Sequence, residues 1–457
     1  MNSYRMRPGT APAPPPVGLL IRSAALLTGI LAAALACADS GSHAPSGAPT
    51  LAIASVPAAS ATRCEAAKSA TAIRVCGHNL VDAHGDTVQL RGVNVSGLES
   101  VAVQGWSPAN PWGGATGTPT PDWKTIKAWG ANAVRLPINE ASWLGLTCVD
   151  DNGIGKTVVD GRQQQNSPGT VVKADPGGNY RKTVDRSVAE ASAAGLFVIL
   201  DLHLSAPGKA CPMTQNAMAD ADHSIDFWTS VASNYKGATN VLFELFNEPF
   251  LDQAPLMGGD PWDALRDGKG SLRSYRNPGQ PDTMEYPWHS AGMQQMLDAV
   301  RATGARNVVL TSTLAYASAM TGWLQYRPTD RIEPSQIAAV WHAYPGSGRY
   351  AAQVNCIGLP QCSARTLQSV QDILAAGFPV VLTEFGDPAG GAGAPLSAML
   401  LPFADAMGIS YFAWTWDVWP GTQFYLISDA TGTPTAGFGT YVKAHLLCRA
   451  AGTADCP

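Results

Sequence analysis

Charged side chains are scarce in this chain. Asp, Glu, Lys and Arg make up 14% of its 457 residues, whereas an ordinary soluble domain has about 25%. The net charge is -5 and the sequence contains no block of basic residues, which argues against nucleic acid as a partner. The zinc-binding motifs His-x-His and His-Glu-x-x-His are also absent from the sequence, which argues against a metal hydrolase.

Long apolar runs are lacking as well, except near the N-terminus. Residues 23–36 form an apolar stretch preceded by Arg5, Arg7 and Arg22, and it is shorter than the roughly 20 residues of a transmembrane helix. Basic residues followed by a short apolar stretch and by Ala-Leu-Ala before Cys37 are typical of a secretory signal peptide. We therefore predict a signal peptide over residues 1–36 and a secreted, extracellular protein.

Cys37 leaves two forms of the mature N-terminus open. The residue resembles the lipid-modified cysteine of bacterial lipoproteins, which would anchor the protein at the cell surface, whereas ordinary cleavage near this position would release it. A lipid on Cys37 is the only contact with a membrane that the sequence predicts. Residues 37–62 are rich in Ala, Ser and Pro, a composition typical of a flexible linker or tether.

Nine cysteines occur in the chain, and eight remain when Cys37 is set aside. An even number in an exported protein indicates disulfides, although eight cysteines allow 105 connectivities. Short loops favour three pairs and leave two cysteines for a fourth. The predicted pairs are Cys64–Cys76, Cys356–Cys362, Cys448–Cys456 and Cys148–Cys211.

Short apolar runs recur along the rest of the chain, as expected for strands that are buried on both faces. Eight of them lie at 88–96, 131–138, 196–203, 241–247, 307–313, 337–344, 378–385 and 409–416. Helical patterns lie between them, at 180–194, 224–235, 290–303, 364–376 and 396–407, and each is followed by a glycine, which is a typical helix end.

This alternation predicts parallel strands and an α/β fold. Eight units over residues 63–457 fit a (β/α)8 TIM barrel, and a doubly wound open sheet is the alternative. Two long insertions, 145–179 and 250–288, follow the second and fourth strands. Both are expected at the end of the barrel where active sites form.

Polar and aromatic side chains follow or end the predicted strands, and a barrel would bring them to one pocket. They are Arg135, His203, Asn247, Glu248, His342, Tyr344, Glu384 and Trp414. Two carboxylates across a cleft are what glycosidic bond cleavage requires, one as a proton donor and one ionised. We expect Arg135 to keep Glu384 ionised, and we expect Glu248 to lie where charge is less favoured.

From about residue 76 to 447 the chain resembles glycoside hydrolase family 5, the family of many cellulases. The triplet Asn247-Glu248-Pro249 after an apolar strand matches the family's signature, and the eight polar and aromatic residues occur in the family's order. Residues 79–82, Gly85 and residues 90–94 resemble its N-terminal hairpin and first strand.

The resemblance implies a role for each of these residues. Glu248 would be the general acid and then the general base, and Glu384 the nucleophile, with retention of configuration. Asn247 would hold the sugar 2-hydroxyl, while Arg135 and Tyr344 would support the nucleophile. His203 and His342 would bind sugar hydroxyls or hold the carboxylates, and Trp414 would form the floor beneath the reacting sugar.

Endo-β-1,4-glucanase (cellulase) is the activity that the resemblance favours, with a polysaccharide or oligosaccharide as substrate. A mannanase, another β-glycanase or a transglycosylase of the same family remains open, and so does a non-catalytic glycan-binding protein at the cell surface. A zinc or iron hydrolase using Asp201, His203, His342 and Glu384 is disfavoured by the missing metal motifs. We therefore expect no metal, no cofactor and a monomer.

Overall fold

The computed structural model describes most of the chain from residue 73 onward. The described residues are 73–100, 112, 120–146, 156–159, 162–165, 175, 177–208, 215–254, 256–274, 286–345, 360–391, 393–418 and 424–457. The predicted signal peptide and linker lie outside them. Within them, no helix has both the length and the apolar character needed to cross a bilayer.

The strands form one closed barrel and three two-stranded sheets. In chain order they are β1 Arg74–Cys76, β2 Asn79–Val81, β3 Arg91–Asn94, β4 Ala133–Asn139, β5 Lys156–Val159, β6 Arg162–Gln165, β7 Phe197–Leu204, β8 Val241–Glu244, β9 Ser271–Ser274, β10 Tyr286–His289, β11 Val309–Thr311, β12 Ile337–Ala343, β13 Val380–Phe385 and β14 Ser410–Ala413. The barrel order is β11-β12-β13-β14-β3-β4-β7-β8, with every neighbouring pair parallel. Each of the eight predicted strands overlaps one barrel strand. The barrel prediction is therefore confirmed and the open sheet was the wrong alternative.

The helices alternate with the barrel strands. They are α1 Trp123–Ala128, α2 Glu140–Leu144, α3 Asn179–Ala193, α4 Ser224–Tyr235, α5 Pro261–Asp267, α6 Met293–Ala302, α7 Trp323–Tyr326, α8 Pro360–Ala375, α9 Pro395–Met407 and α10 Phe438–Ala450, with an irregular single turn at Leu314–Ala317 and 3-10 turns at Leu98–Ser100 and Met320–Gly322. All five predicted helices are present within a few residues of the expected ends. Four of the five glycines that follow them adopt the left-handed conformation, which lets the chain turn back toward the next strand, whereas Gly237 does not.

The N-terminal end of the barrel is closed by an apolar plug. Val75 and Leu80 of the β1–β2 hairpin belong to one buried cluster with interior side chains such as Leu310 and Phe412. The Val75 amide donates to Oε1 of Gln336 at 2.8 Å and so fixes the hairpin against the strands. Because this end is filled with apolar side chains, polar groups in the interior are confined to the opposite end.

The two long insertions carry hairpins of their own. The first contains the antiparallel pair β5–β6, and the second contains α5 and the pair β9–β10. Of the predicted disulfides, Cys448–Cys456 is confirmed. Each of the other three predicted pairs includes a cysteine outside the described residues.

Candidate active site

Arg135 lies at the centre of the polar end of the barrel and is fully buried. Its guanidinium forms ion pairs with Asp201 at 2.9 Å, with Glu384 at 2.7 Å and, through two nitrogens, with Glu244 at 2.7 and 2.9 Å. Arg135 lies inside β4, which continues four residues past it, one residue beyond the end of the predicted strand. The side chain therefore points into the barrel from within a strand, where its charge is balanced only by neighbouring side chains.

Two amides complete the surroundings of Arg135. Asn94 Oδ1 and Asn247 Oδ1 each accept a hydrogen bond from the guanidinium at 2.8 Å. Since the oxygen of Asn247 faces Arg135, its NH2 group faces His203 Nε2 at 3.4 Å. The neutral imidazole of His203 therefore carries its proton on Nδ1, which donates to Asp201 Oδ2 at 2.7 Å. The guanidinium thus fixes the tautomer of this histidine.

Glu384 is held as a carboxylate by two donors. Oε1 accepts from Arg135 Nη1 at 2.7 Å, and Oε2 accepts from the Tyr344 hydroxyl at 2.7 Å. The side chain is buried, and both donors favour its ionised form. Arg135 and Tyr344 therefore both contact Glu384 directly.

Glu248 has no contact with the guanidinium. Its Oε1 lies 2.9 Å from His342 Nδ1, and its Oε2 accepts a hydrogen bond from Gln215 Nε2 at 2.6 Å. Burial raises the pKa of Glu248, as the sequence analysis expected for the proton donor. The side chain is 16% exposed, so it also faces the open end of the barrel.

A chain of hydrogen bonds places a proton on Glu248. Glu244 is bidentate to Arg135 and accepts from the Thr383 hydroxyl at 3.2 Å, so Thr383 must accept from His342 Nε2, 2.9 Å away. Burial lowers the pKa of His342 to about 4, so the ring is neutral and its single proton is on Nε2. Nδ1 is therefore an acceptor, and the donor at 2.9 Å is the carboxyl Oε1–H of Glu248.

The other ionisable groups of the site are shifted mainly by burial. Burial lowers the pKa of His203 to about 4 and raises the pKa of Asp201 to about 7. Burial also raises the pKa of the Tyr344 hydroxyl well above its usual value, and the carboxylate of Glu384 acts in the same direction. Tyr344 is consequently a permanent hydrogen-bond donor to Glu384 in the ordinary pH range.

Trp414 is half-buried at the mouth of the barrel, just after β14. Its ring is stacked on the imidazole of His203, with centroids 5.4 Å apart and planes 9° apart. All eight predicted site residues are thus brought to one end of the barrel. The structure adds Asn94, Glu244, Gln215 and Thr383 to the hydrogen-bond network, and it makes Asp201 part of it.

Two of these five additional residues had a signal in the sequence. Glu244 and Asp201 are single polar residues inside apolar strands, in register with each other on neighbouring strands. A charged residue inside a doubly buried strand needs a partner, which points to Arg135. Gln215 lies in a loop and has no such signal.

Two groups of side chains have the spacing of metal ligands. In the described part of the chain these are Glu140 with Asp220 and His223, and Glu248 with His342 and Glu384. In the second group one atom from each residue lies within 4.8 Å of the others, so an oxygen of Glu248 comes within 4.8 Å of an oxygen of Glu384. Its His342 Nδ1 is already engaged by the proton of Glu248, as described above.

Comparisons with known proteins agree with this arrangement. The family model of cellulase (glycosyl hydrolase family 5) matches residues 81–419. Endoglucanase E-5 of Thermobifida fusca is 23% identical over 395 residues, which are 82% of this chain and 63% of that protein. A Microbulbifer endoglucanase is 24% identical over 241 residues, 48% of this chain and 38% of the relative. The chain thus spans less than two thirds of the length of either relative.

A solved structure shares the fold. The β-glucanase of Saccharophagus degradans in complex with cellotetraose superimposes with a TM-score of 0.54 at 20% identity, over 84% of this chain and 95% of that one. Because the family model covers most of the chain, the protein belongs to glycosyl hydrolase family 5, the cellulase family.

Proposed function

We propose that the protein is a retaining endo-β-1,4-glucanase with Glu384 as nucleophile and Glu248 as general acid and base. The observation that carries this proposal is that an oxygen of Glu248 and an oxygen of Glu384 lie within 4.8 Å of each other, while only the second carboxyl contacts the guanidinium of Arg135. Retaining glycosidases hold their carboxyl groups about 5–5.5 Å apart, whereas inverting enzymes need about 6.5–9.5 Å for a water molecule.

The first step forms a covalent glycosyl-enzyme. Glu384 attacks the anomeric carbon while the bond to the leaving oxygen breaks, and the proton of Glu248 passes to that oxygen. Arg135 and the Tyr344 hydroxyl keep Glu384 ionised and oriented before the attack. Of Glu248 and Glu384, only Glu384 contacts the guanidinium. The site can therefore supply an acid and a nucleophile at the same pH.

The second step releases the sugar. Glu248, now a carboxylate, takes a proton from water, and the oxygen of that water bonds to the anomeric carbon as Glu384 leaves. Two displacements on opposite faces restore the original configuration. We assign Asn247 to the sugar 2-hydroxyl and Trp414 to the floor beneath the reacting sugar; the half-buried ring of Trp414 offers an aromatic face.

The choice of a β-1,4-glucan is supported by the relatives. Two of them are named endoglucanases, and the superimposed β-glucanase holds cellotetraose. Their low identity leaves mannan, other β-glycans and transfer to a sugar acceptor as alternatives. A non-catalytic glycan binder is the alternative from another class, and the presence of both carboxyl groups argues against it.

The test is release of reducing sugar from carboxymethylcellulose, mixed-linkage β-glucan, mannan and xylan. We expect wild-type release to be highest on carboxymethylcellulose, Glu384→Gln to be inactive, and the exposed control Glu333→Gln to be fully active. NMR of the first product on cellotetraose should show the β-anomer. An α-anomer would overturn the retaining mechanism, and activity in Glu384→Gln would overturn the site.

Export also remains a proposal. We expect the mature chain to lack residues 1–36, as a monomer in solution, and to be either lipid-modified at Cys37 or released. Intact mass of the mature protein separates these two forms, and a mass that retains residues 1–36 would refute export by this signal.

A further inference from the structure

Gln215 lies between β7 and α4, outside the predicted site, yet its side chain reaches the proton donor. Its Nε2 donates to Oε2 of Glu248 at 2.6 Å, while His342 contacts the other oxygen. We propose that Gln215 is a positioning residue that confines the proton of Glu248 to Oε1 and so presents one defined oxygen as the acid. This inference rests on the proposed function of Glu248.

The backbone around Gln215 is tied to the segment that carries Glu248. The Phe250 amide donates to Ala217 O at 3.0 Å, which joins the two loops close to both side chains. Asn216 is buried, and its Nδ2 donates to Ser205 O at 2.9 Å. The position of Gln215 is therefore set by the scaffold and does not depend on its bond to Glu248.

A second set of contacts lies at the described ends of this segment between β7 and α4. The Ala206 amide lies 3.0 Å from Glu140 Oε1 and 3.0 Å from Asp220 Oδ2, and the Ser224 hydroxyl donates to Glu140 Oε2 at 2.6 Å. Glu140 is the first residue of α2, and Ala206 lies two residues after the end of β7. Asp220 lies before α4, and Ser224 is the first residue of that helix. The loop is thus anchored at both ends to neighbouring elements of the barrel.

The chemistry of the amide decides which oxygen holds the proton. An amide NH2 group only donates, so Oε2 must accept and cannot carry a proton toward Gln215. Neutral Glu248 then holds its proton on Oε1, where His342 Nδ1 accepts it in the resting site. After the proton is transferred, the same N–H group stabilises the carboxylate that acts as base in the second step.

The effect on titration has a definite sign. Because the Gln215 donor favours the ionised form of Glu248, its removal should raise the pKa of Glu248. The other charged and titratable groups facing this carboxyl, none of which the variants change, are His203, His342, Arg135, Glu384, Asp201 and Tyr344.

The test compares two substrates across pH. In Gln215→Leu, the pH at which kcat/KM on cellotetraose falls on the basic side of the profile (the basic limb) should rise by about one unit. The plateau of kcat/KM should fall by about tenfold. On 2,4-dinitrophenyl β-cellobioside, whose leaving group needs no acid, the plateau of kcat/KM should stay within about twofold of wild type. Gln215→Glu, which keeps the shape and removes the donor, should move the limb at least as far upward.

The matched control is Gln253→Leu. Gln253 follows Glu248 in the same loop, and its side-chain amide has no hydrogen-bond partner among the described residues. It should leave both substrates and the pH profile unchanged. A limb of Gln215→Leu that stays in place or moves down would overturn the inference, as would equal losses on both substrates. If wild type cleaves neither substrate, the proposed function fails instead.

Discussion

The substitution Arg135→Met tests how strongly the guanidinium stabilises the buried carboxyl groups around it. Asp201, Glu244 and Glu384 all pair with it at 2.7–2.9 Å, and the first two are fully buried. Removing one partner from a buried ion pair costs about 3–5 kcal/mol. The methionine variant leaves three carboxyl groups without their cation, so we expect at least this loss in the free energy of unfolding.

The loss should increase with pH. With Arg135 in place, burial raises the pKa of Asp201 to about 7 and also raises the pKa of Glu244, and the guanidinium opposes both shifts. Without Arg135 we expect both folded-state pKa values to rise further, so these two groups stay protonated in the folded chain to higher pH. The stability of such a group is complete below the unfolded pKa, near 4, and is lost as pH rises through the folded pKa. Each unit by which a folded-state pKa rises costs up to about 1.4 kcal/mol per carboxyl, so the deficit of the variant relative to the wild type should grow between pH 5 and pH 7.

The assay is urea unfolding followed by tryptophan fluorescence at pH 5 and pH 7. Arg301→Met is the matched control, because Arg301 is also buried but pairs with a single carboxyl, Asp330, at 2.8 Å. It should show a smaller change between the two pH values. Arg135→Lys keeps the charge and should restore most of the pH dependence of the wild type. If Arg135→Met loses the same free energy relative to the wild type at both pH values, the guanidinium does not lower the pKa of Asp201 and Glu244.

Three further outcomes follow from the geometry. Glu248→Gln should lower kcat/KM on cellotetraose by about 10²–10⁴-fold and spare 2,4-dinitrophenyl β-cellobioside, which steady-state kinetics on both substrates checks. Trp414→Ala in the Glu384→Gln background should raise the Kd for cellotetraose by about tenfold, measured by calorimetry. The substitution leaves about 50 Å² of apolar sugar surface uncovered, at about 25 cal/mol per Å². Replacing Cys448 and Cys456 by serine should cost about 2–3 kcal/mol in the free energy of unfolding, measured with urea, since the disulfide closes a loop with a sequence separation of 8.

The barrel was predictable because its strands are buried on both faces and therefore consist of short apolar runs between turn residues. The bounds were less predictable. The run 241–247 contains a strand that ends at Glu244, since Asn247 and Glu248 turn toward the site, and the run 307–313 contains only Val309–Thr311. A strand ends where its backbone stops pairing, and apolar side chains continue past that point because the barrel rim is also packed.

The site was predictable where one residue type has one chemical use. Glu248 and Glu384 stand at strand ends as a pair, which the chemistry of glycosidic cleavage requires. Gln215 was not predictable, because a glutamine in a loop has no periodicity and its partner is 33 positions away in sequence. Thr383 was hidden for another reason: its hydroxyl sits beside Glu384 in a strand where threonine is common, and only the contact with His342 gives it a role.

The charges of this site explain how one carboxyl can act first as acid and then as base. Arg135 pairs with three carboxyl groups, and both histidines are neutral. When the three carboxyl groups are ionised, the buried site already has a net negative charge. A negative charge on Glu248 would add to it. Burial raises the pKa of Glu248, and a neighbouring carboxylate opposes a second negative charge. In the proposed mechanism, Glu384 loses its charge when it bonds to the sugar, which removes that opposition at the moment when Glu248 has given up its proton. The ionised form of Glu248 is then more favourable than before, and it can take a proton from water in the second step without any change in the fold.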